Sequence, residues 1–362
     1  MSRRLNIAFF GSSLVSAYWN GAATYYRGII RALHEKGHKI TFFEPDAYDR
    51  QQHRDISDPP WAQVIVYSAL NEKFAYDALC MAKSCDLVIK ASGVGVFDAF
   101  LESEMLSLHG GRRLVAFWDV DAPATLERVR SNPADPFRRL VPRYDFIFTY
   151  GGGNPVVQEY LQLGAKECIP IYNALDASTH YPVSPDARFK CHLGFLGNRL
   201  PDREERVEEF FLKPAVTLSG YRFLLGGNGW SEKSMPRNVK YVGHVYTADH
   251  NAFNSSSLAV LNINRESMAR YGFSPPTRVF EAAGAGSCII TDAWEGVEMF
   301  LEPGKEVLPA GSGAEVAAHM ASLTPERARS IGEAARKRIL SGHTYAHRAE
   351  LFEKALFNGT AV

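Results

Sequence analysis

Several residues between Arg265 and Asp292 have the types and spacing to act on one ligand. Ser274-Pro275-Pro276 opens a helix, because proline is pre-set for the first helical turn. The free N–H groups of such a start attract a phosphate, with Ser274 and Thr277 beside them. Arg278 follows in the first turn, and Arg265 lies in the polar loop before it. Slightly deeper, Glu281 can accept two hydrogen bonds from a ribose diol. Ala282, Ala283, Gly284, Ala285 and Gly286 then let backbone and ligand approach closely. Together these residues indicate a nucleotide-diphosphate site.

The same segment resembles the donor-site signature of GT-B glycosyltransferases, in the CgeB-like or spore-maturation branch. There Ser-Pro-x-x-Arg-x-Phe-Glu-Ala-Ala-x-x-Gly precedes a strand ending in Asp. Ser274, Pro275, Arg278, Phe280, Glu281, Ala282, Ala283, Gly286 and Asp292 match it. The signature is a distant form of the Glu-x7-Glu motif of retaining GT-B enzymes. The resemblance implies that Glu281 binds the nucleotide ribose. The first Glu of that motif falls on Phe273. Its sugar contact then comes from elsewhere, or the mechanism differs.

Gly194-Phe195-Leu196-Gly197-Asn198-Arg199-Leu200-Pro201-Asp202-Arg203 reads as a strand, a glycine loop and a helix. Loops after parallel strands form the binding crevice of such sheets. Arginine suits a diphosphate because its planar fork bonds two oxygens at once. By similarity to retaining GT-B enzymes, the loop at Gly197 faces the pyrophosphate, with Arg199 the first phosphate ligand and Arg203 the second. The plain alternative is a helix start with salt bridges to Glu204 and Glu205. Gly226-Gly227-Asn228-Gly229 is a tight turn or a place where ligand touches backbone, and the fold would set Gly227 by the donor. Val242-Gly243-His244-Val245-Tyr246 resembles the family's nucleobase-lining segment. Backbone near Val245 would read the base, and an aromatic could stack on it. His244 and His250 find no third ligand at suitable spacing, so no metal site is expected.

Asp119-Val120-Asp121 ends a strand of the first half. The resemblance places this loop at an interdomain cleft, where Asp119 or Asp121 would orient or deprotonate an acceptor hydroxyl. Asp-x-Asp is also the metal motif of the other glycosyltransferase fold, GT-A, but three residues alone do not make a metal site. The plain alternative is a helix cap before Thr125. The loop from Gly11 to Gly28 resembles the first loop of GT-B enzymes, facing acceptor and donor sugar. Ser13, Trp19, Asn20 and Gly21 are its candidates, and Lys90 after another strand is a further one. This loop lacks Gly-x-Gly-x-x-Gly, which disfavours a nicotinamide or flavin cofactor.

The elements that must position these residues alternate. Apolar strand runs at Leu5–Phe10, Lys39–Glu44, Val64–Tyr67, Asp86–Ala91, Leu114–Asp119, Asp145–Tyr150 and Cys168–Tyr172 are separated by helical patterns. The order restarts at His192–Leu196 and continues through Tyr221–Leu225, Val239–Val242, Leu258–Ile263 and Cys288–Thr291. Alternation of this kind predicts doubly wound parallel sheets. The expected fold class is α/β with GT-B architecture: two Rossmann-like domains facing a cleft. The expected boundaries are an acceptor domain over 1–175, a linker over 176–188 and a donor domain over 189–342. The resemblance implies that a last helix over 343–362 crosses back to the first domain.

The 362 residues suit about two domains. Forty basic side chains balance forty acidic ones, so no global field draws the chain to nucleic acid or to a membrane. Five cysteines, none in Cys-x-x-Cys spacing, read as reduced thiols. No apolar stretch reaches the ~20 residues of a transmembrane helix. A cytoplasmic protein is expected, at the inner membrane face only through its substrate. The expected activity is hexosyl transfer from a UDP-, GDP- or TDP-sugar to an acceptor hydroxyl, metal-independent and with retention favoured. The acceptor stays open among glycan, lipid, protein and small molecule, and so does a homodimer. No tightly bound cofactor is expected. A nucleotide-sugar epimerase and a noncatalytic relic of the same fold are the alternatives.

Overall fold

A computed structural model describes residues 3–358. The chain divides into two compact units. The first runs to Asn173 and takes back the chain from Tyr345, while the second is Ala174–Thr344.

The first unit is built on strands β1 (Asn6–Phe10), β2 (Lys39–Asp46), β3 (Gln63–Ser68), β4 (Leu87–Ala91), β5 (Leu114–Asp119), β6 (Phe146–Thr149) and β7 (Cys168–Pro170). They form one parallel sheet in the order β3-β2-β1-β4-β5-β6-β7. The second unit repeats the plan with β8 (Cys191–Leu196), β9 (Phe223–Gly226), β10 (Val239–Tyr241), β11 (Ser257–Asn262), β12 (Ile289–Asp292) and β13 (Leu308–Ala310). Its order is β10-β9-β8-β11-β12-β13, again parallel. The first strand of each unit, β1 and β8, lies inside its sheet and is a nearly continuous, mostly buried apolar run, as parallel sheets require. In each sheet the order reverses beside that strand, at β1/β4 and at β8/β11. Ligands bind outside the carboxyl ends of strands at such switch points.

The sequence reading omits β13. Its Leu-Pro-Ala is short, and Pro309 lacks a ladder donor. The strand sits at the sheet edge, where proline is tolerated.

The core of the first unit is aromatic. Trp118 lies 5.6 Å from Phe9, 5.0 Å from Phe148 and 5.4 Å from Phe352, ring centre to ring centre. Phe352 belongs to the last helix, Tyr345–Asn358. That helix is bound into the first unit by polar contacts as well. Arg348 Nε donates to the Tyr172 carbonyl at 3.2 Å, and Glu353 pairs with Lys36 at 2.9 Å. Gly28 makes room for it, since a Cβ there would lie 2.1 Å from the Tyr345 ring. The core of the second unit gathers Leu193, Phe195, Phe211, Leu225, Trp230 and Ile290 around its sheet.

Residues 176–188, expected as a linker, are fastened to the second unit. The backbone N–H groups of Tyr181, Val183 and Asp186 donate to Asn251 Oδ1, Ser255 Oγ and Ser256 Oγ, all on the helix His250–Ser256. Polar side chains at Asn251, Ser255 and Ser256 satisfy a backbone that has no ladder of its own.

Candidate functional site

The carboxyl ends of β8 and β11 are joined by one side chain. Arg278, in the first turn of the helix Thr277–Gly284, donates from Nε to the Leu196 carbonyl at 2.6 Å and from one terminal nitrogen to Asn262 Oδ1 at 3.0 Å. Leu196 ends β8 and Asn262 ends β11. The guanidinium therefore spans the switch point, with its carbon 5.2 Å from the centre of the Phe195 ring. Arg203 approaches the same place. A Cβ on Gly197 would lie 3.0 Å from Arg278 Nη2 and 3.2 Å from Arg203 Nη1. Two cations thus converge on the one position in this loop that has no side chain. Burial, and then the like charge of Arg203, push Arg278 down to about 9. A bound anion would relieve both effects.

Glycine is required in this loop for packing. Gly227 has φ +123°, and a Cβ there would meet the Gly197 carbonyl oxygen at 2.3 Å. Its N–H donates to the Gly243 carbonyl and its own carbonyl accepts from Tyr241 Oη. The Trp230 indole donates to the Gly197 carbonyl at 2.8 Å. Gly227 thus sets the shape of the loop around Gly197 rather than offering itself to a ligand.

Two expected anion ligands are engaged elsewhere. Arg199 forks onto Glu204, with both hydrogen bonds at 2.8 Å, the salt-bridged alternative noted from the sequence. Arg265 pairs with Asp202 at 2.7 Å. Arg203, expected second to Arg199, is the one that meets Arg278 at Gly197. Ser274 is buried, Thr277 begins the helix, and both stand beside Arg278 in the chain. Phe273, where the first Glu of the related motif would stand, is held at φ +45° with its ring against Gly296.

Glu281 follows Arg278 by one turn and faces two histidines. His180 Nε2 lies 3.9 Å from one carboxylate oxygen and His250 Nδ1 4.0 Å from the other. Burial holds His250 below its ordinary value, so its imidazole is neutral near pH 7. His244 is exposed and packs edge-on against Tyr246, and Val245 is buried with its carbonyl turned to His250. The sequence reading misses His180, Asn262 and Arg206. Arg206 reaches Asp292 at 2.6 Å, and Asp292 in turn accepts the Asn264 N–H, fixing the loop after β11. Pairs so far apart in the chain leave no local spacing to find. The Asp closing the matched signature was the one available signal.

In the first unit most expected contact residues hold structure. Asp119 is fully buried. One carboxylate oxygen accepts from Ser92 Oγ at 2.7 Å, Asp121 N–H at 3.0 Å and Thr125 Oγ1 at 3.1 Å. The other accepts from Tyr160 Oη at 2.5 Å. Four donors occupy it, and burial raises its pKa. Its role is to fix the loop, which corrects the expectation of a reacting carboxylate. Lys90 is likewise fully buried, 2.5 Å from Asp98 and 3.4 Å from Glu102. Ser13 donates to Glu44, and Asn20 donates to the Ser13 and Ser16 carbonyls, so both close the first loop on itself. Trp19 and Gly21 are exposed, with Trp19 at φ +47°. Asp121 is partly exposed and caps the helix Ala122–Ser131 through its carbonyl.

Comparison with known proteins agrees with this architecture. Residues 203–354 match a family model described as "Glycosyl transferase-like". A sucrose-phosphate synthase from Thermosynechococcus elongatus superposes with TM-score 0.69 at 14% identity, covering 98% of this chain and 99% of that one. The Anabaena protein HepE, in complex with UDP and glucose, gives TM-score 0.69 at 13% identity over 98% and 100% of the two chains. An alpha-glucosyltransferase, solved with UDP-glucose and DNA containing an abasic site, gives 0.70 at 12% identity over 99% and 100%. Among curated proteins, none matches the sequence. The two Rossmann-like parallel-sheet units are those of the GT-B glycosyltransferase fold.

Proposed function

We propose that this chain transfers a sugar from a nucleotide-diphosphate sugar to an acceptor hydroxyl. The observation that carries the reading is the convergence of Arg203 and Arg278 at Gly197, across the β8/β11 switch point. A diphosphate placed there gains charge as its bond to the sugar breaks. Preformed guanidinium donors stabilise that charge without a metal ion at the phosphates. The first-turn N–H groups at Thr277 add a positive dipole end. Glu281 lies a turn deeper on the same helix, where the ribose diol of such a nucleotide would reach it. The family match of residues 203–354 and the UDP and UDP-glucose held by HepE and the alpha-glucosyltransferase support the same reading.

In the first unit, Asp121 is the carboxylate at the end of β5 that remains partly exposed, and it would take the acceptor's proton. Likeness to Glu-x7-Glu enzymes favours retention, whereas Phe273 in place of the first Glu, together with a base at Asp121, fits inversion. The test is turnover of UDP-, GDP- and TDP-hexoses with an acceptor panel, and NMR of the anomeric product. Release of nucleoside diphosphate with a new glycosidic bond is expected. Isomerised donor would make the chain an epimerase, and binding without turnover would make it a relic.

A further inference from the structure

We infer that His180, His250 and Glu281 form a binding site for a divalent transition-metal cation of the Zn²⁺ type. Their ligand atoms all lie within 4.8 Å of one another. The hydrogen bonds around them fix both imidazole tautomers. His250 Nε2 faces the Val245 carbonyl at 3.3 Å, and only an N–H can bond a carbonyl, so the lone pair is on Nδ1. Thr179 Oγ1 donates to the Asp176 carbonyl and must therefore accept from His180 Nδ1, 3.0 Å away. The lone pair of His180 is then on Nε2. These two nitrogens lie 3.9 and 4.0 Å from the Glu281 carboxylate oxygens, and neither has a hydrogen-bond partner among the described residues. Three acceptors thus face one centre, and His180 is only 4% exposed. Acceptors so gathered are costly unless a cation or a donor sits among them.

The surroundings are built to hold the three in place. Asn251 clamps both sides of His180, donating to the Thr179 carbonyl at 2.9 Å and accepting from the Tyr181 N–H at 3.3 Å. A Cβ on Gly284 would lie 3.0 Å from the His180 carbonyl oxygen, so glycine there lets the strap approach the helix of Glu281. Metal-ligating histidines characteristically donate their other N–H to a carbonyl or another fixed acceptor, as both do here. Two imidazoles and a carboxylate suit Zn²⁺, Co²⁺ or Fe²⁺, with positions left open for water or a ligand oxygen. Closing the three onto a cation asks for side-chain shifts of under about 1 Å, since ligands of a tetrahedral Zn²⁺ at ~2.0–2.1 Å stand roughly 3.3 Å apart. The sequence reading rejected a metal at His250 for want of a third ligand, and His180 and Glu281 supply it. Glu281 is shared with the ribose contact proposed above, whose diol oxygens would take the cation's open positions, and the test below reads the cation without nucleotide, so the two readings fail separately.

The test is titration of chelator-treated full-length protein with Zn²⁺ and with Co²⁺. One equivalent of each is expected to bind, the cobalt form showing visible ligand-field bands. His180→Gln and His250→Gln should each weaken binding at least ~100-fold, while His34→Gln, an exposed residue in the last turn of the helix Ala23–Glu35, should leave it unchanged. X-ray absorption of the zinc-loaded wild type, which needs no variant to fold, should read two imidazole nitrogens at ~2.0–2.1 Å. Absence of stoichiometric binding would overturn the assignment. So would binding that survives both histidine variants, or a zinc shell without imidazole.

Discussion

At the residue scale, the account turns on which arginines face the anion. Arg278→Ala removes a guanidinium from between β8 and β11, and charge-assisted hydrogen bonds are worth about 1.5–3 kcal/mol. Nucleoside diphosphate affinity should fall roughly 10- to 100-fold, read by calorimetry. Arg199→Ala should leave that affinity nearly unchanged, because its fork is already on Glu204. An equal loss from both would return Arg199 to the site. pH adds an independent signal. Arg278 is pushed down to about 9, and the anion binds its charged form, so affinity should hold through neutral pH and decline as pH rises past about 9. The sequence made Arg278 and Glu281 legible through their spacing in one helix. It ranked Arg199 above Arg203, because the neighbouring carboxylate and the vacant glycine position that separate the two act only in space. His180 was illegible for a related reason: its partners come from two separate helices.

At the element scale, loops after strands are shaped by buried polar groups and by glycine. Asp119→Ala would leave the donors of Ser92, Thr125, Tyr160 and the Asp121 backbone without their acceptor. Each unsatisfied buried group costs about 1–3 kcal/mol, so a loss of roughly 3–5 kcal/mol is expected in denaturant unfolding. A variant that folded normally but lost turnover would restore Asp119 as a reacting group. Gly227→Ala sets a methyl against the Gly197 carbonyl at a φ that side chains rarely adopt. It should lower Tm and nucleotide affinity together, since both depend on the same loop. The parallel strands were legible as apolar runs between helical patterns. β13 was not, because Pro309 marks it as a turn and only pairing with β12 makes it a strand.

At the scale of the whole molecule, each unit has its own sheet and core, and the last helix completes the first unit. Gly28→Val would drive that helix away by forcing a side chain into the Tyr345 ring. Overpacking of this kind costs about 1–3 kcal/mol, and the helix should become the first site of limited proteolysis. The restart of the strand pattern made two units legible. The fastening of residues 176–188 to the second unit was not, since their prolines read as a linker and their partners are side chains of a distant helix. Formal charge is balanced, and no helix among the described residues is long and apolar enough to cross a membrane. The proposed recognition of a diphosphate rests on local charge at the second unit's switch point. The most direct measurement is a thermal shift of wild type and Arg278→Ala with UDP, GDP, TDP and CDP. Ligand that binds only the folded state raises Tm by mass action. A rise with one diphosphate, lost in the variant, is the predicted result. No rise with any of them in folded wild type, or an equal rise in both proteins, would contradict the account.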